Sequence, residues 1–355
     1  EDLREVGREA RRHVGRRAGI LPHHTVWMDY FRNLRYVVID EMHIYRGVFG
    51  SHLANVIRRL KRVALFYGSR PQFILTSATI ANPVELAGKL IEEEISSIEE
   101  DGAPKGQRNF IFYNPPIVHP ETGARKSASS EAIRLTSDLM AYHVQTLLFT
   151  RARRSVEIML RNLRNQTGAS QSRVRGYRSG YLPSERRQIE QELRNGQANA
   201  VVATNALELG IDIGSMDAAI LVGYPGSIAA TRQQAGRAGR RTASSLVVFV
   251  ASASPLDQYL ISHPEHVLGK SPEQALIDPD NLLILLQHLR CAAFELPFKQ
   301  GEAYGKVPAE MVDGLFNLLQ DSGEMHFSNG RYFWTADQYP ANQVSLRTSS
   351  ADRVR

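Results

Sequence analysis

Cysteine is almost missing from this 355-residue chain: Cys291 is the only one. Intrachain disulfides and thiolate-rich zinc sites are therefore excluded within it, and a reducing cytoplasm is the expected setting. Lysine is scarce as well, supplying seven of the 43 basic residues, so arginine carries the positive charge. No apolar run approaches the roughly 18 residues that a membrane span needs. The most apolar helix candidate, Leu282 to Leu286, is soon interrupted by Gln287, His288 and Arg290. The first residues are charged, with no apolar stretch of the kind a secretory signal requires. The glycine-rich pattern G-x-x-x-x-G-K-[ST], whose backbone cradles phosphates, occurs nowhere in the chain.

The composition that is present fits folded protein. At 355 residues the chain has room for two or three domains, each with a core. Its 43% hydrophobic and 23% charged content is ordinary for a globular protein rather than a disordered one. The formal net charge of +6, carried mostly by Arg, suits phosphate backbones, and a GC-rich genome favouring Arg codons explains it equally well.

Residues 1–18 form a highly charged leader with a thin apolar stripe at Leu3, Val6, Ala10 and Val14. Tyr36 to Ile39 is a β-branched run that predicts a buried parallel strand. Helical spacing follows from Gly50 to Phe66, then a second apolar strand at Phe73 to Leu75. Pro83 to Ile91 predicts a helix with Pro at its first position and Asn82 as its cap. Residues 105–130 are rich in Gly, Pro and Ser and are read as a linker. Alternating strands and helices then fill 131–260, which predicts a parallel sheet flanked by helices. Helices near 281–294 and 307–319 precede two short strands around Ser328-Asn329-Gly330, a hairpin signal. Residues 261–355 are therefore expected to form a small winged-helix-like α+β region, and residues 19–104 an incomplete first α/β lobe.

The chemistry-bearing residues cluster at predicted strand ends. Asp40 and Glu41 emerge at the carboxyl end of an apolar strand, the edge at which open parallel sheets bind ligands. One carboxylate there can hold a nucleotide-bound Mg²⁺ through water, and its neighbour can orient and deprotonate an attacking water. An exposed Asp-Glu turn would look the same in isolation. Ser77 and Thr79 lie just past the next strand, where hydroxyls either serve the acidic pair or cap a helix. Gly210 permits close backbone approach beside the Asp212 carboxylate. The stretch Gln233 to Arg241 holds two Gly-Arg units, which put Arg237 and Arg240 on one side of a helical turn, able to reach a phosphate across an interdomain cleft. A basic helix face is the competing reading.

Taken in order, Asp-Glu-x-His, Ser-Ala-Thr, a linker, a second α/β unit, Thr-x-x-x-x-x-Gly-Ile-Asp and Gln-x-x-Gly-Arg-x-Gly-Arg resemble the motif series of superfamily 2 helicases. From about residue 19 onward the chain looks like the YprA/MrfA-type DNA-repair helicases, relatives of a fungal RecQ-four-like helicase. Gly19 to His24, Tyr45 to His52, Gln72 to Pro83, Ser254 to Tyr259 and Leu289 to Phe298 carry that likeness. The resemblance implies RecA-like lobes and ATP-dependent translocation on single-stranded or forked DNA, 3′ to 5′, in a repair role in the bacterial cytoplasm. It also implies roles. Asp40 would coordinate Mg²⁺ and Glu41 would be the catalytic base. His43, Ser77 and Thr79 would couple nucleotide state to lobe movement. Asp212 would contact ribose or the coupling network, with Gly210 beside it. Gln233 would bond within the cleft, towards His43, and Arg237 and Arg240 would act as arginine fingers. Thr150, Arg151 and Thr204 would meet the DNA backbone. A non-catalytic nucleic-acid-binding protein and an RNA helicase of the same superfamily are the alternatives.

The chain departs from that family pattern at both ends. Each βαβ unit needs about 30 residues or more, and 39 residues precede Asp40. A complete first lobe with a phosphate loop does not fit there, and the family's zinc-binding cysteine region is absent. These 355 residues alone are therefore expected to hydrolyse ATP poorly, because nothing replaces the oriented N–H donors and Lys of the missing loop.

Overall fold

The structure, a computed structural model, describes residues 19–78, 80–100, 102, 106–168, 173–207, 216–239 and 244–348. The chain forms two compact units, one from residues up to 78, 82–97 and 274 onward, the other from 79–81 and 98–273. In chain order the first unit contributes α1 (Met28–Arg32), β1 (Tyr36–Ile39), α2 (Gly47–Phe66), β2 (Gln72–Leu75) and α3 (Pro83–Ile91). The second contributes β3 (Arg108–Tyr113), β4 (Ile117–His119), β5 (Ala124–Arg125), α4 (Ala128–Ala141), β6 (Thr146–Phe149), α5 (Arg153–Thr167), β7 (Val174–Tyr177), α6 (Pro183–Arg194), β8 (Ala200–Ala203), β9 (Ala218–Val222), α7 (Ile228–Ala235), β10 (Ser245–Val250), α8 (Pro255–Ser262) and α9 (Glu265–Leu268). The chain then returns to the first unit with α10 (Leu282–Glu295), β11 (Phe298–Lys299), α11 (Ala309–Asp321), β12 (Met325–Ser328) and β13 (Arg331–Trp334).

The second unit is built on a six-stranded sheet in the order β3-β10-β9-β6-β8-β7, and every pairing in it is parallel. Its central strands are short apolar runs because both faces are covered. In β6, Leu147 and Phe149 point to one core with α6, α7 and α8, while Leu148 points to the other with α4 and α5. That is the period-two alternation of a strand, seen here with apolar residues at each position from Leu147 to Phe149.

The expected linker at 105–130 is instead largely structured. Arg108–Tyr113 forms the edge strand β3, aligned with β10 from Arg108 opposite Ser245 to Tyr113 opposite Val250. Phe110 and Phe112 pack on the sheet core. A β4–β5 pair follows, and α4 begins at Ala128. The Gly and Pro residues on either side concealed a six-residue run, Arg-Asn-Phe-Ile-Phe-Tyr, whose apolar content suits a strand.

In the first unit, β1 and β2 form a two-stranded parallel sheet. Contrary to the expectation of a buried strand, Tyr36 and Val38 are about 60% exposed, and Ile74 is exposed too. Ile39 packs inward, so the sheet is covered on one side only. The C-terminal helices and sheet fold into this same unit. Helices α10 and α11 pack on a three-stranded sheet, β11-β13-β12, around Leu285, Leu289, Phe298, Phe316 and Tyr332. Asn329 and Gly330, with φ of 50° and 71°, make the tight β12–β13 turn that the Asn-Gly pair predicts.

Helix α2 joins the two parts of this unit through polar contacts. Arg59 Nε donates to both Glu295 oxygens at 3.1 Å, and both side chains are buried. Arg58 Nη2 reaches Asp280 at 2.7 Å and also pairs with Glu92. Arg62 donates to Glu302 and to the carbonyls of Ala292, Leu296 and Pro297. The cap expected at Asn82 is not formed: Asn82 makes no side-chain cap bond to α3. Asn82 instead exchanges hydrogen bonds with the backbone of Ala275.

Candidate active site

Ile39 and Leu75 are paired in register, which sets Asp40 and Thr76 side by side past the carboxyl ends of β1 and β2. The backbone fixes this further: Thr76 N–H donates to Ile39 O at 2.9 Å and Met42 N–H to Thr76 O at 2.8 Å. The Thr76 hydroxyl then donates to Asp40 Oδ1 at 2.5 Å and accepts the Glu41 N–H at 3.3 Å. Glu41 has left-handed backbone, φ 53° and ψ 45°. For a non-glycine residue that costs on the order of 1–2 kcal/mol, and such strain gathers at functional positions. Its effect is to end the strand and start the short helical turn Met42–Ile44. The adjacent acids consequently face different partners. Asp40 is tied to Thr76, while Glu41 Oε2 lies 3.4 Å from His43 Nδ1.

His43 is buried and its Nδ1 accepts the Ala78 N–H at 3.1 Å. The neutral ring therefore carries its proton on Nε2. That nitrogen is buried without a hydrogen-bond partner among the described residues, a situation costing roughly 1–3 kcal/mol. Burial lowers the His43 pKa, Glu41 and Asp40 oppose the shift, and Arg46 adds to it. Ser77, singled out from the sequence, donates its hydroxyl to its neighbour Ala78 O. Thr76, one residue earlier, was missed. Its signal was available: equal-length strands in register place the first residue after each one opposite the other.

In the second unit, Thr150 and Thr204 follow the adjacent strands β6 and β8. Thr150 N–H donates to Ala203 O at 2.9 Å and Thr204 N–H to Tyr177 O at 3.2 Å. Thr204 is buried, and its hydroxyl accepts the Ala206 N–H. Arg151 is exposed just before α5. The next loop, 223–227, leads into α7, which carries Gln233. Asp257, buried at 2% exposure, accepts from Tyr224 N–H, Ser252 N–H and the Ser252 hydroxyl, and so fixes the turns after β9 and β10. Glu273 accepts the first two N–H groups of α7, Ile228 at 2.7 Å and Ala229 at 3.1 Å. Ser227 accepts from Ala230 at 3.0 Å. Neither Asp257 nor Glu273 was found from sequence, because the contact of Asp257 to Tyr224 spans 33 residues and those of Glu273 span 44–45.

Helix α7 ends at Ala235, before the first Gly-Arg unit. Arg237 is thus buried in the turn that follows the helix. Ala238 bridges to Met216, and Gly239, at φ 79°, donates its N–H to Met216 O. A Cβ on Gly239 would lie 2.3 Å from Ser245 Oγ, so glycine is needed for space as well as conformation. Thr79, Gly210, Asp212 and Arg240 lie outside the described residues. The remaining predicted residues divide by unit: Asp40, Glu41, His43 and Ser77 in the first, and Thr150, Arg151, Thr204, Gln233 and Arg237 in the second.

Comparison with known proteins agrees with this division. The family described as "DEAD/DEAH box helicase" matches residues 5–87. "Helicase conserved C-terminal domain" matches 131–242, and "ATP-dependent helicase HRQ1, winged helix domain" matches 277–349. The chain is 50% identical over 339 residues to the uncharacterized ATP-dependent helicase YprA of Bacillus subtilis, covering 95% of this chain and 45% of that protein. It is 38% identical to the ATP-dependent helicase hrq1 of Schizosaccharomyces pombe, covering 94% and 32% respectively. A solved structure of the helicase MrfA bound to DNA and AMPPNP superposes with a TM-score of 0.89 at 49% identity, over 93% of this chain and 46% of that one. The chain spans less than half the length of these relatives. It belongs to the YprA/MrfA-type helicases of superfamily 2.

Proposed function

We propose that this protein couples ATP hydrolysis to movement along single-stranded DNA and to duplex unwinding, in DNA repair. The observation that carries the reading is the pair of divided carboxylates at the carboxyl end of β1, one tied to Thr76 and the other turned towards His43. Its support comes from relatives that are ATP-dependent helicases by name and from the structure of MrfA bound to DNA and AMPPNP.

No group of three or more His, Cys, Asp or Glu able to cage a metal occurs among the described residues. An exposed Asp40 carboxylate held in place by a hydroxyl fits Mg²⁺ bound through water and phosphate oxygens. When bound, that ion would neutralise charge on the transferred phosphate. Asp40 would hold it. Glu41 would take a proton from the attacking water. Arg237 and Arg240 would supply guanidinium charge, and Gln233 a polar contact. His43, Ser77 and Thr79 would transmit the nucleotide state, with Gly210 and Asp212 beside the ribose. Thr150, Arg151 and Thr204 would contact the DNA backbone, since two of them carry hydroxyls at neighbouring strand ends.

The test is DNA-stimulated ATPase activity of the full-length protein. Glu41→Gln is expected to lower kcat at least 100-fold while leaving binding to single-stranded DNA unchanged. ATPase activity that survives the substitution would sink the assignment of Glu41, and stronger stimulation by RNA than by DNA would point to the RNA-helicase alternative.

A further inference from the structure

The first unit has a second charged feature, at the opposite end of its sheet from the acidic pair. Arg35 immediately precedes β1, and Arg70 precedes Pro71 and β2, so both sit at the amino ends of the parallel strands. With Arg32, Asn33, Ser69 and Gln72 they line one open concavity of about 350 Å³. Tyr36, about 60% exposed, stands on its wall. The strands are four residues long, which puts this rim on the order of 13 Å from Asp40 at about 3.3 Å per residue.

Arg58, Arg59, Arg62 and Arg290 each have a carboxylate partner. Arg35 and Arg70 have none among the described residues. Arg32 has only Asp29, at 3.5 Å with both side chains exposed, a pair of little energetic weight. Three guanidiniums and two side-chain amides therefore line a concavity that has donors in excess and no carboxylate among its lining residues. Guanidinium forks match phosphate oxygens, and an exposed aromatic ring beside them offers a face on which a base can stack.

We propose that this rim is a second nucleic-acid contact, gripping the phosphodiester backbone of a single strand through Arg32, Arg35 and Arg70 with Tyr36 stacked on a base. An acidic peptide would satisfy the arginines but would leave Tyr36 without a planar partner, so nucleic acid is the better fit. The contact is separate from the ATP chemistry and from Arg151 in the second unit, so either assignment can fail without the other.

The experiment titrates short oligothymidylate against the full chain over a range of salt concentrations, without nucleotide. In an Arg151→Ala background, which reduces the contribution of the second unit, Arg35→Glu with Arg70→Glu should weaken binding at low salt at least tenfold. The slope of log affinity against log salt should fall by roughly 1.4, at about 0.7 per lost phosphate contact. Arg35→Lys with Arg70→Lys should retain most of the slope, since the charges remain. As a readout that needs no variant, photocross-linking with 5-iodouracil-containing oligonucleotide should label Tyr36. An unchanged slope, or cross-links confined to the second unit, would overturn the proposal. Competition by polyglutamate but not by oligonucleotide would overturn it in favour of an acidic protein partner.

Discussion

Thr76 shows how much one hydroxyl can decide. It orients Asp40 and holds the strained Glu41 backbone at the same time. Thr76→Val keeps the shape and removes both bonds. Hydrogen bonds to charged groups are worth about 1.5–3 kcal/mol, so kcat/KM for ATP in the full-length protein should fall between roughly 10-fold and 100-fold. The Mg²⁺ concentration needed for half-maximal rate should rise, with little change in thermal stability. A variant with normal Mg²⁺ dependence would show that Thr76 does not position Asp40. Gly239 is the contrasting case, where the constraint is steric. Gly239→Ala meets Ser245 Oγ and an unfavourable φ together, so denaturant unfolding should show a loss of about 1–3 kcal/mol.

At the scale of elements, α7 is an eight-residue helix, too short to be stable by itself in water. Its first N–H groups are satisfied from outside, two by Glu273 and one by Ser227. A carboxylate at a helix amino end also meets the positive end of the dipole. Glu273→Ala should therefore cost about 1–2 kcal/mol and raise amide hydrogen exchange at Ile228 and Ala229 more than at the centre of β6. Equal protection at those amides in variant and parent would refute the capping role. Ser227 is legible from sequence as a residue of capping type immediately before a helix; Glu273 is not, because the capping arrangement depends on a return of the chain that no local pattern announces. β3 was hidden for a related reason. An edge strand at the border of a Pro- and Gly-rich stretch is recognised as a strand only when β10 lies beside it.

Across the whole molecule, the first unit depends on the polar contacts between α2 and the C-terminal segment. Removing one partner of a buried ion pair typically costs 3–5 kcal/mol, so Glu295→Ala should destabilise this unit by about that amount, read by thermal melting. The same interface carries a directional relay. Arg59 can only donate, so His288 Nδ1 accepts from it at 3.3 Å. His288 Nε2–H then donates to His52 Nδ1 at 2.9 Å, and His52 Nε2–H donates to the Thr348 carbonyl at 3.0 Å. Both rings must be neutral. Burial depresses both pKa values, with Arg59, His52 and Arg58 adding to the shift at His288, while the Thr348 carbonyl opposes it at His52. Because the folded values lie below the unfolded value of about 6.5, the relay is intact above that pH and its stabilisation is lost as pH falls below it. The melting temperature should drop between pH 7.5 and 5.5, and His52→Gln with His288→Gln should flatten that dependence. An unchanged pH profile in the double variant would show that other groups control it.

The amino-acid sequence by itself determined the order of chemical motifs, the β/α rhythm of the second unit and the Asn-Gly hairpin. Each of these rests on residues a few positions apart, whose periodicity and turn chemistry act locally. Only the tertiary structure decided the strand order, the structured segment before α4, the choice of Thr76 over Ser77 at the acidic pair and the remote cap on α7. It also decided that residues beyond 273 fold with α2 and not with the sheet that precedes them in sequence. Those outcomes depend on side chains that meet across tens to hundreds of residues, such as Arg59 and Glu295 at a separation of 236. Burial and hydrogen-bond satisfaction select such pairs only once the chain has closed on itself.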